Sequence, residues 1–419
     1  MGDLGRILKL LCISNGHGED AIALPVLEEL RRLANPPTEI VALPIVGLGK
    51  AYSDGGFRVI GTVATMPSGG FNQDGRQLVR DLQGGLVGLT IDQIRTVKNW
   101  AQSGGKILAV GDLVPLLFAW WSGAEYAFIG TAKSEYYIRD RSGQILPSQR
   151  NSIEVKTGCY YFPWERWLLS RSRCRAVFPR DRLTSEILQK YQIPAFDLGN
   201  PMTDGVKFDG AGVLPQFDRA FTIVLLPGSR PPEAYDNWAK IIIAANSLIS
   251  VDRQRSLLFL AACTTTLDLG ILQGILTGAG WMQMVDQRGI YYRRENATLM
   301  ISTHAYAECL HLGDCAIAMA GTATEQFISL GQPAFIIPGS GPQFTPAFAE
   351  AQTRLLGESV ILVSTPENVG REIDRLFQQP DKLRSIASNG RLRMGIDGAA
   401  KRIADRVIDL MDTPFLLKD

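Results

Sequence analysis

At 419 residues, with 46% hydrophobic and 20% charged residues, the chain is long enough for two globular domains, each with its own core. A net charge of +1 provides no global field to draw the protein to nucleic acid or to an acidic bilayer. The six cysteines (Cys12, Cys159, Cys174, Cys263, Cys309 and Cys315) form no CxxC pair and no zinc spacing. They sit mostly among apolar residues, as the reduced structural thiols of a cytosolic protein do.

Residues 7–13 (ILKLLCI) form a short apolar run that carries Lys9 and passes into a glycine loop without a cleavage-like site. A buried strand is expected there rather than a signal peptide. Further apolar runs follow at 40–43, 106–110, 126–129, 175–178 and 195–198, separated by helix-length amphipathic segments. Residues 66–100 interrupt this series. Glycine-rich apolar patches at 69–71 and 84–88 beside Arg76 and Arg80 suit an interfacial lipid or acceptor, and equally an ordinary surface helix pair. Residues 113–130 (LVPLLFAWWSGAEYAFIG) are divided by Pro115, Ser122-Gly123 and Glu125, so a strand–helix–strand passage is expected and no spanning helix. The run 160–167 (YYFPWERW) suits core packing or an aromatic belt against acyl chains.

A second series of apolar runs occupies 221–226, 257–262, 297–302, 315–319, 334–337 and 360–363. Continuous apolar strands alternating with helices imply parallel sheet covered on both faces. The expected class is therefore α/β, with two doubly wound, Rossmann-like domains. The Gly-, Pro- and Asp-rich stretch 199–220 places the break, giving domains 1–200 and 201–395. Residues 396–419 add a helix, with Ile403, Val407, Ile408 and Met411 on one stripe, free to pack back on the N-terminal domain.

Ligands of open parallel sheets bind beyond the carboxyl ends of strands, so three loops matter. Asn15, Gly16, His17, Gly18, Glu19 and Asp20 follow the first strand. Their glycines permit close backbone approach to an acceptor, against the plain alternative of a structural turn with a solvated histidine. Gly228, Ser229 and Arg230 follow the first strand of the second series, where a guanidinium can hold phosphate in bidentate fashion; a surface arginine after a turn is the bland alternative. Gly321, Thr322, Ala323, Thr324, Glu325 and Gln326 open the helix after run 315–319. A threonine N-cap would explain the hydroxyls there. The spare amides also suit a phosphate, and Glu325 a pair of ribose hydroxyls. Gln343 and Phe344 lie on the same rim after run 334–337. The chain contains no Asp-x-Asp, no GxGxxG after the first strand and no P-loop. No metal and no separate cofactor are expected, and arginine, amides and helix dipole must neutralise any departing diphosphate.

LPGSR at 226–230, AGTATE at 320–325, GNPMTD at 199–204 and AVFPRD at 176–181 together resemble the lipid-A-disaccharide synthase family of GT-B glycosyltransferases. That family has SGTATLE and GHPLxD at the corresponding places, in the same order. The peptidoglycan N-acetylglucosaminyltransferase is a more distant relative. The resemblance implies two Rossmann-like domains facing a central cleft. It implies that Gly228, Ser229, Arg230 and Thr322 to Gln326 hold a UDP-sugar, with Gln343 and Phe344 near its diphosphate or sugar. It also implies that Asn15 to Asp20 face a lipid-like or membrane-associated acceptor, in a cytoplasmic protein on the inner face of a membrane. The family includes homodimers.

Two departures stand out. The family's first loop reads GEASGD where this chain has SNGHGED, and its PDFN aspartate has no counterpart in the LVPLL that follows Gly111-Asp112. Asp112 and His17 are the candidate bases for an inverting transfer, and Asp112 is also a candidate helix cap. Two alternatives stay open: a non-hydrolysing UDP-sugar 2-epimerase, and a degenerate protein that binds a UDP-sugar or lipid without catalysis.

Overall fold

The computed structural model describes residues 9–33, 38–64, 86–208, 210, 212–215, 220–287 and 289–412. The chain divides into an N-terminal unit, which runs to Gly205 and resumes at Gly395, and a second unit, Val206–Met394. The patches expected at 69–71 and 84–85, with Arg76 and Arg80, lie outside the described residues.

The N-terminal unit is built on a six-stranded sheet: β1 (Lys9–Ser14), β2 (Glu39–Pro44), β3 (Arg58–Val59), β4 (Lys106–Gly111), β5 (Tyr126–Gly130) and β6 (Cys174–Phe178), in the order β3-β2-β1-β4-β5-β6. Every pairing in it is parallel. The second unit carries β7 (Phe221–Leu226), β8 (Leu257–Ala262), β9 (Met282–Asp286), β10 (Gly289–Arg294), β11 (Ala297–Ser302), β12 (Cys315–Ala318), β13 (Ala334–Ile336) and β14 (Val360–Leu362). Their order is β14-β13-β12-β7-β8-β11-β10-β9. Strands such as β7 (FTIVLL) and β8 (LLFLAA) are apolar without alternation because helices cover both faces. The chain reverses its direction of strand addition between β1 and β4 in one unit and between β7 and β12 in the other. At such a reversal the connecting helices leave on opposite faces, and a crevice opens at the carboxyl ends.

Three expectations need correction. Run 195–198 is no strand. Pro194 precedes it and only Ala195 bridges to Val177, so it merely lines the outer edge of β6. Residues 113–130 hold one helix, Leu113–Ser122, followed by β5; the strand that leads into that helix is β4, which ends at Gly111 before the run begins. The hairpin β9–β10 was not expected, because its polar and apolar residues are mixed and no buried apolar run marks it.

The closing helix Ala399–Asp412 belongs to the N-terminal unit and packs against the helix His17–Leu33, with Ile403 and Val407 fully buried. Asp204 fixes its start: one carboxylate oxygen accepts from Gly398 N and the other from Ala400 N, both at 2.6 Å. The carboxylate is buried and does the work of an N-cap from 196 residues away in sequence. Asp204→Ala leaves two amides without acceptors and is expected to cost about 1–3 kcal/mol. Scanning calorimetry should show the transition of the N-terminal unit moving down while that of the second unit stays in place.

Candidate functional site

A cavity of about 430 Å3 opens at the β7/β12 reversal of the second unit. Gly228, Ser229, Arg230, Gly321, Thr322, Ala323, Gln326, Gln343 and Phe344 line it, so three loops far apart in sequence meet there.

The β7 loop comes first. Gly228 has φ +94°, a backbone conformation that L side chains rarely adopt, and it lies against Met319 O at the end of β12. Ser229 O accepts from Thr266 Oγ1 at 3.1 Å. Arg230 is exposed at the cavity and joins no ion pair among the described residues.

The β12 loop contradicts the bland reading of its hydroxyls. Gly321, not a threonine, occupies the N-cap of the helix Thr322–Ser329, and no side chain caps that end. Thr324 turns inward and donates to Ala320 O at 2.6 Å. The carbonyls of this turn are bound from behind. Met319 O accepts from Asn237 Nδ2 at 3.4 Å, Ala320 O from Gln352 Nε2 at 3.2 Å, and Gly321 O from the same amide group at 3.3 Å. Thr322 and Ala323, in the first turn, thus line the cavity at the positive end of the helix, and among the described residues no N-cap side chain bonds their amides.

Glu325 does not line the cavity. It is buried on the other side of the helix, and the side chain one position on, Gln326, takes the place expected of it. Residues 322, 323 and 326 share one helical face and 324 and 325 do not, which the sequence motif alone left undecided. Tyr306, itself lining the cavity, donates its hydroxyl to Gln326 Oε1 at 2.7 Å, and burial pushes that phenol's pKa up.

The loop after β13 is held by one carboxylate. Glu233 accepts from Phe344 N at 2.7 Å and from Gln343 N at 3.1 and 3.2 Å, and its side chain is 7% exposed. The chain at Gly341 crosses directly over it; a methyl there would lie 2.3 Å from Glu233 Cδ. Two turns along the same helix (Glu233–Val251), Lys240 Nζ donates to Ser340 Oγ at 3.0 Å and Pro338 O at 3.2 Å. Between them, Asn237 donates to Pro227 O at 3.1 Å as well as to Met319 O. Positions i, i+4 and i+7 of one helix therefore join all three loops. Phe344 and Phe348 close the apolar side of the cavity edge to face, with centroids 5.5 Å apart. Glu233, Asn237 and Lys240 were missed because they read as ordinary helix polarity. Their signal was a polar stripe opening a helix that otherwise buries apolar residues.

The first loop sits at the β1/β4 reversal of the N-terminal unit. Asp20 is fully buried: its Oδ1 accepts from Ser14 Oγ at 2.5 Å, and Tyr52 donates to that serine at 2.7 Å. Gly16 O accepts from Asp20 N at 2.8 Å, and Gly18 is exposed. His17 is the first residue of its helix, and its side chain lies outside the described set. Glu19 and Asn15 flank the end of β4: a methyl built on Gly111 would lie 3.3 Å from Glu19 Cγ and 3.4 Å from Asn15 Cβ. Asn15 Oδ1 is buried and accepts no hydrogen bond among the described residues.

Asp112 follows at once, and both of its sequence readings meet in one side chain. It caps the helix Leu113–Ser122 by accepting from Val114 N at 3.0 Å. Burial raises its pKa against the opposing pull of that amide and of the Lys133 ammonium. Lys133 is held by buried Glu165 at 2.6 Å and lies over the Phe162 ring at 4.7 Å. In the aromatic run 160–167, Tyr161 packs into the core, while Trp164 and Trp167 are 55% and 46% exposed. Trp121, 43% exposed, lies in the last turn of the helix Leu113–Ser122, whose Trp120 meets Trp167 at 5.5 Å. No described helix is long and apolar enough to cross a membrane.

No protein-family profile and no curated protein matches the sequence. Solved structures do match. The UDP-GlcNAc 2-epimerase of Neisseria meningitidis bound to UDP-GlcNAc aligns with 96% of this chain and 100% of its own, at TM-score 0.56 and 15% identity. A putative UDP-N-acetylglucosamine 2-epimerase from Listeria monocytogenes aligns over 96% of both chains at TM-score 0.58 and 14% identity. MurG of Acinetobacter baumannii aligns over 96% of this chain and 99% of its own at TM-score 0.55 and 13% identity. The chain has the GT-B fold. At these identities the likeness extends to architecture alone, and the GT-B scaffold places the cavity at the strand-order reversal of its second Rossmann-like unit.

Glu233→Ala should release the GT-B loop after β13. The amides of Gln343 and Phe344 are expected to exchange at least about tenfold faster with deuterium, while those of β7 keep their protection.

Proposed function

We propose that the chain is a UDP-sugar-dependent, inverting glycosyltransferase, with the donor's diphosphate in the cavity of the second unit. The observation that carries this is the asymmetry of the turn 319–322. Its carbonyls are engaged by Asn237, Gln352 and Thr324, its helix-end amides are left to the cavity, and Arg230 stands beside them. Oriented amides plus a guanidinium are a receptor for a diphosphate, ordered before any ligand arrives. LPGSR and the first four residues of AGTATE fall on this lining, and a neighbour of the same fold was solved with UDP-GlcNAc.

In the proposed reaction the acceptor hydroxyl oxygen attacks the anomeric carbon and the bond to the diphosphate breaks. The electron pair leaves on the diphosphate oxygen, toward Arg230 and the amides of Thr322 and Ala323, and the hydroxyl proton passes to Asp112. A desolvated carboxylate is a stronger base than one in water, which suits that role. The unmatched Asn15 Oδ1 offers an acceptor for a further hydroxyl. We assign a lipid-like or membrane-associated acceptor, with peripheral attachment, on the exposed Trp121, Trp164 and Trp167 and on Arg171, stacked 4.4 Å from the Trp167 ring.

The second reading, a 2-epimerase, draws support from the epimerases that share the fold. Against it, the cavity lining holds a single carboxylate, Glu233, already engaged by Gln343 and Phe344, and Asp20 is committed to Ser14. Incubation with UDP-sugars and a lipid extract separates the readings. UDP release with a glycosylated lipid supports transfer, an isomerised sugar supports epimerisation, and UDP binding with neither product indicates a binding protein.

By calorimetry, Arg230→Ala is expected to weaken UDP about ten- to hundredfold and Gln326→Ala by a smaller factor, with Glu325→Gln unchanged. Unaltered affinity in the first two would remove the donor site from this cavity. Asp112→Asn should keep UDP affinity and lose turnover. Because the base works deprotonated and its pKa is raised, kcat/KM in the unaltered protein should rise with pH through a limb above the ordinary carboxylate value. A limb at that ordinary value would move the base elsewhere.

A further inference from the structure

A sheet ends in rows of unpaired amides and carbonyls, and proteins blunt such edges by shortening, covering or charging them. Two of the four edges here are two and three residues long, β3 and β14. A third, β6, is covered: Val177 N donates to Pro194 O at 2.8 Å and Phe196 N to Val177 O at 2.9 Å. The fourth, β9, is longer than β3 and β14 and is left uncovered among the described residues. All five of its residues are exposed, with Met282 at 66% and Val285 at 70%, and Ile290 beside them on β10 is 47% exposed. The strand contains neither lysine nor proline, and Asp286 is its only charge.

We infer that β9 is the dimerisation edge of this protein, pairing antiparallel with β9 of a second copy about a two-fold axis. A second copy fits this edge for two reasons. An antiparallel strand pair is isologous by construction, so one surface completes itself. Centring the axis on Met284 gives the full five-residue overlap and sets Met282 opposite the partner's Asp286. Within the protomer Arg293 is in register with Met282, and Tyr291 with Met284, so Met282, Met284, Asp286, Tyr291 and Arg293 share a face. Tyr291 donates to Asp286 Oδ2 at 2.9 Å and holds that carboxylate on this face. In the dimer exposed Arg293 lies two strand spacings, roughly 9.5 Å, from the partner's Asp286. An extended arginine reaches across Met282 to that carboxylate, and the symmetry repeats the pair. The two Met284 side chains meet on the axis, and Val285 lies opposite the partner's Gln283. The dimer thus joins two eight-stranded sheets into one of sixteen strands.

This inference is independent of the reaction the protein catalyses. Sedimentation of the full chain should show a dimer, and Met284→Lys should raise its dissociation constant by at least about tenfold with an unchanged circular dichroism spectrum. Asp286→Arg should do the same, and adding Arg293→Asp should restore the dimer. All six native cysteines are buried, so Met284→Cys introduces an accessible thiol that mild oxidation should cross-link to its partner's copy. Gln283→Cys, displaced from the axis, should stay uncross-linked. A monomeric wild-type protein, a dimer indifferent to Met284→Lys, or equal cross-linking at 283 and 284 would each overturn the proposal.

Discussion

Everything in the second unit's cavity depends on a polar stripe along one helix. Glu233, Asn237 and Lys240 are neighbours on the face of Glu233–Val251, and each binds loop backbone, Lys240 the Ser340 hydroxyl as well. Strand-end loops are the parts of an α/β unit that packing constrains least, because they project beyond the sheet. Hydrogen bonds from a rigid helix to their main chains fix them without filling the space they enclose. Two of the three side chains are buried, where a hydrogen bond to backbone is costly to leave unmade. The result is an ordered hollow lined, among the described residues, by the first turn of a helix and one exposed guanidinium.

The N-terminal unit solves the same problem with different chemistry. At its strand-order reversal a buried chain of hydroxyls, Tyr52 to Ser14 to Asp20, anchors the first loop from beneath. A helix-capping aspartate closes the other side. Capping and acid–base chemistry are compatible in Asp112 because the cap uses one carboxylate oxygen and burial acts on the whole group. In the same unit Asp204 uses both of its oxygens on the final helix, so the aspartate of the GNPMTD motif acts as a structural fastener.

Much of the architecture was legible because parallel strands buried on both faces leave an unmistakable trace. The runs at 221–226, 257–262 and 297–302 coincide with β7, β8 and β11. The hairpin β9–β10 left no such trace, since an edge pair exposed on its outer strand needs no apolar run. Of the two loops that carry the family likeness, most residues reach the cavity. Glu325 and Thr324 do not, because helical geometry assigns alternate faces within a five-residue motif.

Local sequence by itself determined the class of fold, the positions of most strands and the loops that could matter, because hydrophobic periodicity and glycine placement are written residue by residue. Which side chains of those loops share one hollow was decided only by tertiary structure. Gln326 rather than Glu325 lines the cavity, Gly321 rather than Thr322 caps the helix, and Glu233 reaches Phe344 across 111 positions. Such pairings depend on rotation about a helix axis and on contacts between segments distant in the chain, and no local pattern encodes either.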